Sequence, residues 1–443
     1  SMGSYCGIHF DDLSICDSKS IIPDDWAVLF QERDRREQSG RPPSDQEDEE
    51  QSRTVDYVAT RDSIVSRLAI LGATEEATRR AFQAWLFEER LTWKMYAEEW
   101  ANDGHLGKHA ILIAQELEDL DYDRWCNLAS EVLQTRYDFT RLDARQADAD
   151  PFKKQFYESD GSYLWFAGYG SHINLRALLD AAKDAKEVRL DISDLIDNEY
   201  VRGDEPISTR ARDKAPYQIQ TLAPTMVMAE GSTDLLALRL GLQYLYPDLF
   251  DYFSFFNHAE LSVDGGAAYL VKFLKAIAAA RSTSRILAIF DNDTTGLQAY
   301  YQAKALALPS NFVVARYPDS DIARAYPTVG PGGPLVMDVN GQAAGIELYL
   351  GRDALLYRNE LRPVRWTGYN QSVGKYQGEV EGKGKVLETF QRNIAATENC
   401  EAARALFPEL KKVWNRIFSL VEENRSADYL VSMGAPSDEG WTM

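Results

Sequence analysis

Two short apolar runs constrain this chain more than anything else in it, because each ends in acid and passes directly into a helix pattern. Met226-Val227-Met228-Ala229 stops at Glu230-Gly231, and helix-period residues follow from Ser232 to about Leu245. Ile286–Phe290 stops at Asp291-Asn292-Asp293, and a second helix pattern covers Thr294–Ala307. Between them Tyr252–Phe256 reads as another apolar strand, and Gly265-Gly266 opens a helix running to Arg281. Phe312–Ala315 supplies a fourth strand. Strands this short and apolar, alternating with helices, predict a parallel sheet with right-handed crossovers. In such a sheet ligands sit beyond the C-terminal strand ends, where strand order reverses. If the first and third strands are neighbours there, Glu230, Asp291 and Asp293 converge in one crevice. Three carboxylates so close repel one another unless a cation neutralises them. Oxygen-only donors suit Mg²⁺ or Mn²⁺ rather than zinc. Gly231 and Gly296 are expected to let the backbone turn sharply beneath the site.

Simpler roles exist for these residues. Asp293 can cap the helix that starts at Thr294. The DxDxxG string also begins an EF-hand loop, but its twelfth position is Gln302 rather than Glu, and an apolar strand precedes it. The EF-hand is therefore rejected. The metal reading rests on the joint pattern of strand, acid, glycine and helix, repeated.

The rest of the chain sets the context. At 443 residues it exceeds one ordinary core, which predicts two or three domains. The expected divisions are a hairpin and helix over 1–40, an acidic linker over 41–56, and a helical domain over 57–150. A connector with one helix and one strand follows over 151–222, then the α/β domain over 223–350 and a basic, mostly helical region over 351–443. The N-terminal helix is placed at Asp24–Arg36, and Asp62 and Thr74 are candidate N-caps. Ile64, Leu68 and Leu71 form one apolar helix face, and Phe82, Trp85, Leu86, Leu91, Trp93 and Tyr96 a second, aromatic one. The Gly- and Pro-rich stretch past Pro318, including Gly330–Pro334, reads as a long loop.

The four cysteines are scattered and form no CxxC pair, which argues against a zinc ribbon or a disulfide framework. No run approaches the roughly 18 apolar residues of a membrane span, and the opening Ser1–Tyr5 lacks the features of a secretory leader. A reduced cytoplasmic protein with no membrane association is expected. The net charge of −21 excludes a generally basic nucleic-acid coat. A local basic surface remains open, since Arg362, Arg365, Lys375 and Lys383 fall within 65 residues of the C-terminal region that also hold Trp366, Tyr369 and Tyr376.

Met226–Gly231 together with Ile286–Gly296 resembles the two motifs of the Toprim fold, shared by primases, topoisomerases and the overcoming-lysogenisation-defect nucleases. Beyond these motifs, Met2-Gly3-Ser4-Tyr5, Glu32–Arg36, Leu190–Leu195, Thr221–Pro224, Asn340-Gly341, Ile346–Gly351 and Tyr376–Val380 resemble the bacterial HEPN/Toprim-associated domain proteins. The resemblance implies an α/β Toprim domain, a four-stranded parallel sheet with flanking helices, plus an α-helical N-terminal domain and a helical C-terminal extension. It implies Mg²⁺-dependent phosphodiester chemistry in a family associated with anti-phage defence. By it Asp291 and Asp293 would hold the metal, with Glu230 as a further ligand or the acid/base group. Asp234, one turn after Glu230, would serve a second metal. Glu347, a carboxylate interrupting an apolar segment, and Lys385, a cation able to stabilise a pentavalent phosphate, are further candidates.

One departure matters. HEPN ribonucleases use an Arg followed four to six residues later by His, and none of His9, His105, His109, His172 and His258 has such an Arg. An HEPN ribonuclease centre is not supported. His258 follows the second strand and could approach the crevice, although a structural role is the simpler one. The expected partners are DNA or RNA, an activating protein and further copies of the chain. The alternative is a sensor or scaffold whose Toprim domain binds without turnover. A primase would bring a zinc ribbon and a topoisomerase a nucleophilic Tyr on its own domain, and neither is evident.

Overall fold

The computed structural model describes residues 4–39, 53–134, 151–157, 163–166, 168–218, 222–256, 265–371 and 373–432. The acidic run 45–50, His258 and Thr221 lie outside them. The chain divides into two compact units, Ser1–Ala215 with Arg425–Met443, and Pro216–Asn424.

The first unit is built on an antiparallel sheet. Strands β1 (Tyr5–Phe10), β2 (Leu13–Lys19), β3 (Arg35–Ser39), β4 (Arg53–Thr60) and β5 (Glu187–Asp191) lie in the order β2-β1-β5-β4-β3. The predicted hairpin is β1–β2, and the strand expected in the 151–222 connector is β5, between β1 and β4. Its alternation buries Val188 and Leu190 on one face, as a half-covered strand should. Strands from the expected 1–40 and 151–222 segments thus join β4 in one sheet, and the first unit runs on to Ala215. The Asp24–Arg36 helix is corrected to a single turn, Asp24–Ala27, and a 3₁₀ turn, Glu32–Asp34. Pro23 starts the first, and β3 begins at Arg35.

Helices Arg61–Ile70, Glu75–Glu99, Leu106–Glu118, Tyr122–Gln134 and Ser171–Ala181 are among those of the same unit. Thr74 caps its helix as expected, accepting from the Ala77 N–H. The other cap is Thr60 rather than Asp62, which sits in the first turn instead. Phe82, Trp85, Tyr122, Trp125 and Phe166 form an aromatic core with ring centroids 4.9–6.2 Å apart. Leu91, expected on the aromatic face, is exposed.

In the second unit the predicted sheet forms. Strands β6 (Thr225–Met228), β7 (Phe253–Phe255), β8 (Ile286–Phe290) and β10 (Phe312–Arg316) are all parallel, in the order β10-β8-β6-β7. Every residue of β8 is buried, so both faces of this strand are covered. Ala267–Ala279 and Thr294–Lys304 pack through Leu270, Leu274, Ala299 and Ala303 against Ile286, Ala288 and Phe290. Helix Ser232–Leu245 packs on Leu410 and Trp414, whose Nε1 donates to the Leu238 carbonyl at 3.2 Å. A side-chain carbon at Gly241 would lie 2.7 Å from Leu410, so glycine permits that close approach.

The region past Pro318 differs from expectation. A two-residue strand, β9 (Asn292–Asp293), pairs with β13 (Ala343–Ala344). The predicted loop contains a hairpin, β11 (Tyr326–Gly330) and β12 (Gly333–Met337). The region from 351 on is not mostly helical until residue 383. It holds a small ladder, β14 (Leu356–Tyr357) with β15 (Glu360–Leu361), and a longer hairpin, β16 (Val364–Asn370) with β17 (Lys375–Val380). The β11–β12 and β16–β17 hairpins form a second sheet, β12-β11-β16-β17, from which the β14–β15 ladder stands apart. Gly and Pro here mark turns between strands rather than one irregular stretch. Among the described residues no helix is long and apolar enough to cross a membrane.

Candidate functional site

The strand order fixes where the acids meet. β6 and β8 are parallel neighbours, with Met228 opposite Ala288, so the turns that follow them open at the same sheet edge. The Asp291 N–H donates to Glu230 Oε1 at 3.0 Å, tying the two turns together. Gly296 permits this: a side-chain carbon there would lie 2.8 Å from the same Oε1. Its service is close approach rather than the sharp turn expected, since it lies within a helix. Gly231 is likewise extended rather than left-handed. The Glu230 carbonyl accepts from Gly266 N–H at 2.6 Å, drawing the start of the next helix to the same edge.

Asp234 is buried in the first turn of helix Ser232–Leu245. Asp293 is the N-cap of helix Thr294–Lys304, accepting from Gly296 N–H at 2.6 Å. Glu347 is buried in a 3₁₀ turn, Ile346–Tyr349. A carbon on Gly345 would lie 2.8 Å from Glu347 Oε2 and 3.5 Å from Asp291 Oδ2, so both carboxylates border one glycine.

Each acid resists ionisation. Burial lifts Glu230 to about 8, with Asp293 and Asp234 adding repulsion, against the pull of the Asp291 amide and Lys383. Burial, then Glu347, lifts Asp234 to about 7. Asp291 is raised well above the usual carboxylate range, by burial first and then by Asp234, Glu230, Asp293 and Glu347. Asp293 and Glu347 are also raised, chiefly by burial. This is one electrostatic cluster of five carboxyl groups.

The cation that recurs beside them is Lys383, at the start of helix Lys383–Ala395. Its Nζ lies 3.9 Å from Glu347 Oε1 and 3.2 Å from Glu379. Burial opposes its charge, but Glu347, Glu379 and Asp291 outweigh it and the ammonium is stabilised. Lys385, the cation expected here, is exposed and pairs with Glu388 at 2.7 Å. Two residues along the first turn of a helix point to different sides, which the sequence did not resolve.

Of the expected nucleic-acid contacts, Arg365 on β16 pairs with Glu381, and Lys383 faces acids. Arg362 is half-buried, with its guanidinium 5.0 Å from the Tyr357 ring and its Nε without a partner. Lys375 is half-buried on β17, where its Nζ would lie 2.8 Å from a side-chain carbon at Gly341. Tyr369 and Tyr376 are exposed and in edge contact, 5.3 Å between centroids. Their hairpin is held to the helix after the DxD turn, where Thr294 Oγ1 donates to Tyr376 O at 2.6 Å.

Among the described residues, no three His, Cys, Asp or Glu side chains form a group that could hold a metal ion as they stand. Two of the acids are engaged otherwise, Glu230 with the Asp291 amide and Asp293 with its cap. The donor set, five carboxylates and no Cys or His, is nevertheless of the hard-oxygen class.

Residues 2–215 match the family described as HEPN/Toprim N-terminal domain 1. The match supports a HEPN/Toprim-associated protein. It ends where the first segment of the first unit ends, at Ala215, so the carboxylate cluster lies in the unit that the match does not reach. No curated protein and no solved structure matches the chain.

Proposed function

We propose that the second unit is a Toprim-type nuclease that hydrolyses phosphodiester bonds of DNA or RNA with Mg²⁺ or Mn²⁺. The observation that carries this reading is the gathering of Glu230, Asp234, Asp291, Asp293 and Glu347 at one edge of a parallel sheet, all with raised pKa values. Buried acids that repel one another lower the stability of the ligand-free protein, and a divalent cation removes that repulsion. The family match over residues 2–215 adds a nuclease-related context.

The carboxylate donors fit such an ion chemically: Glu230 and Asp293 each engage an amide through one oxygen, Oε1 and Oδ1, and keep the other for a cation. When bound, a divalent cation supplies an activated water and charge neutralisation at phosphate. Asp291, Asp293, Asp234 and Glu347 are the candidate holders. Glu230, whose Oε1 rests on the Asp291 amide, can hold or release a proton at Oε2 near neutrality. Lys383, rather than Lys385, is placed to meet negative charge at the cluster. Tyr369 and Tyr376 offer stacking faces for unpaired bases. On this reading the protein is a cytoplasmic effector in bacterial anti-phage defence, controlled by an activating partner or by oligomerisation.

The test is incubation of pure protein with plasmid, single-stranded DNA and tRNA in Mg²⁺ and in Mn²⁺, beside Glu230→Gln and Asp291→Ala. Cleavage by wild type that both variants lose supports the nuclease. A second reading, a non-catalytic sensor or scaffold that binds nucleic acid or a partner protein, is favoured by the unassembled ligand group among the described residues. Retained binding with no cleavage of any of the three substrates decides for it.

A further inference from the structure

Tyr317 follows directly on β10, at the sheet edge where the acids collect. Its N–H donates to the Phe290 carbonyl at 3.0 Å, so the backbone pins it beside the Asp291 turn. The residue is 1% exposed, and its hydroxyl has no hydrogen-bond partner. Its neighbour Tyr349 makes the contrast. The two ring centroids lie 5.1 Å apart, yet the Tyr349 hydroxyl donates to the Pro318 carbonyl at 2.7 Å.

Buried phenols ordinarily find a partner, because an unsatisfied hydroxyl in a core is destabilising. Around Tyr317 the electrostatic environment is acidic. Burial first, then Asp234, Asp291 and Glu230, hold its hydroxyl well above the usual tyrosine range. An O–H donor kept among carboxylates, yet bonded to none, is poised for an acceptor that arrives with a ligand.

We propose that the Tyr317 hydroxyl donates to a polarised oxygen of the species bound among Glu230, Asp234 and Asp291. That oxygen belongs either to a water of a hydrated divalent cation or to a phosphate group. The inference rests on reading the cluster as a cation site, and it adds a neutral donor where the sequence showed only acids and lysines. An O–H donor complements the carboxylates: they bind the cation, and it binds the oxygen that the cation polarises.

The experiment uses the full chain as wild type, Tyr317→Phe and Tyr349→Phe. Thermal unfolding in EDTA comes first. Tyr317→Phe loses no hydrogen bond and is expected to melt at or above wild type, whereas Tyr349→Phe melts lower. Mn²⁺ binding is then measured by calorimetry, followed by inorganic phosphate binding at saturating Mn²⁺. Tyr317→Phe is expected to weaken one of these roughly tenfold, equivalent to about 1.4 kcal/mol, while Tyr349→Phe leaves both unchanged. Loss on Mn²⁺ alone assigns the hydroxyl to a cation-held water, and loss only on phosphate assigns it to a phosphate oxygen. If Tyr317→Phe melts well below wild type in EDTA, or binds both probes as wild type does, the hydroxyl is structural and the proposal is overturned. If wild type itself binds no Mn²⁺, the cation reading of the cluster falls, and this proposal falls with it.

Discussion

Removing one charge from the carboxylate cluster should make the metal-free protein more stable, and only above the pH at which that charge would form. Glu230 is the residue to change, because Glu230→Gln keeps an oxygen to accept the Asp291 N–H at 3.0 Å. Its pKa is lifted from 4.5 to about 8 by burial and by Asp293 and Asp234. A raised carboxyl means that the folded protein holds its proton more tightly than the unfolded chain does. The stability it confers is complete below about 4.5 and is lost as pH rises through about 8. At 1.36 kcal/mol per pKa unit, the loss by pH 8 is about 4 kcal/mol. The loss attached to Asp234 does not simply add, since protonating either acid relieves the other. For a unit of this size each kcal/mol moves the midpoint by about 2–4 °C. In EDTA, Glu230→Gln should therefore match wild type near pH 5 and melt several degrees higher near pH 8, in the transition of the second unit. Scanning calorimetry at the two pH values reads this directly. A variant no more stable than wild type near pH 8, or equally stabilised at both pH values, would refute the claim that Glu230 is ionised against its surroundings.

Four further outcomes are expected. Gly296→Ala puts a carbon 2.8 Å from Glu230 Oε1, so it should lower stability by about 1–3 kcal/mol and weaken Mn²⁺ binding in calorimetry. Lys383→Met should reduce any nucleic-acid cleavage by about a hundredfold, while Lys385→Met leaves it within about twofold, as expected of an exposed ion pair; single-turnover assays separate the two. In the first unit, burial chiefly pushes His172 below 6.5, against the opposing effect of Asp25. The folded state resists its protonation, so stability is full above that value and is lost as pH falls below it, and His172→Gln should flatten this acid limb in denaturant titrations. Thr74→Ala removes a cap on the Ala77 N–H and should cost about 1 kcal/mol in the same titrations.

How much of this was legible in sequence follows from which forces act locally. The four parallel strands and the edge holding Glu230 and Asp291 were readable because apolar runs, glycines and helix periods all lie within a few residues of one another. The neighbouring of β6 and β8 was a condition in the sequence and is a fact of the fold. The β11–β12 and β16–β17 sheet was not readable. Two of its strands, β12 and β16, are largely exposed, and the Pro and Gly in β11 and β12 resemble loop chemistry. Tyr317 gave no signal either, since a Tyr before Pro318 has nothing unusual about it until the sheet edge places it.

Glu347 shows how a distant residue reaches the cluster, and the agent is the middle letter of the DxD turn. Asn292 is wholly buried. Its Nδ2 donates to Asp319 and Asn340, each at 3.1 Å, and its Oδ1 accepts from Arg316. Its backbone carbonyl takes the Gly341 N–H at 2.8 Å, and Ala344 pairs with it across the short β9–β13 ladder. Asn340 in turn is anchored by Ser320 and Asp338. The segment leading to Gly345 and Glu347 is thus latched to the turn that carries Asp291 and Asp293. The acids of that turn face the cluster while the Asn between them faces the latch, which is the alternation an extended pair of residues imposes. A carboxylate about fifty residues downstream is brought in by hydrogen bonds to the side chain and backbone of Asn292; its apolar surroundings marked it in the sequence as a candidate, but not which turn it would join.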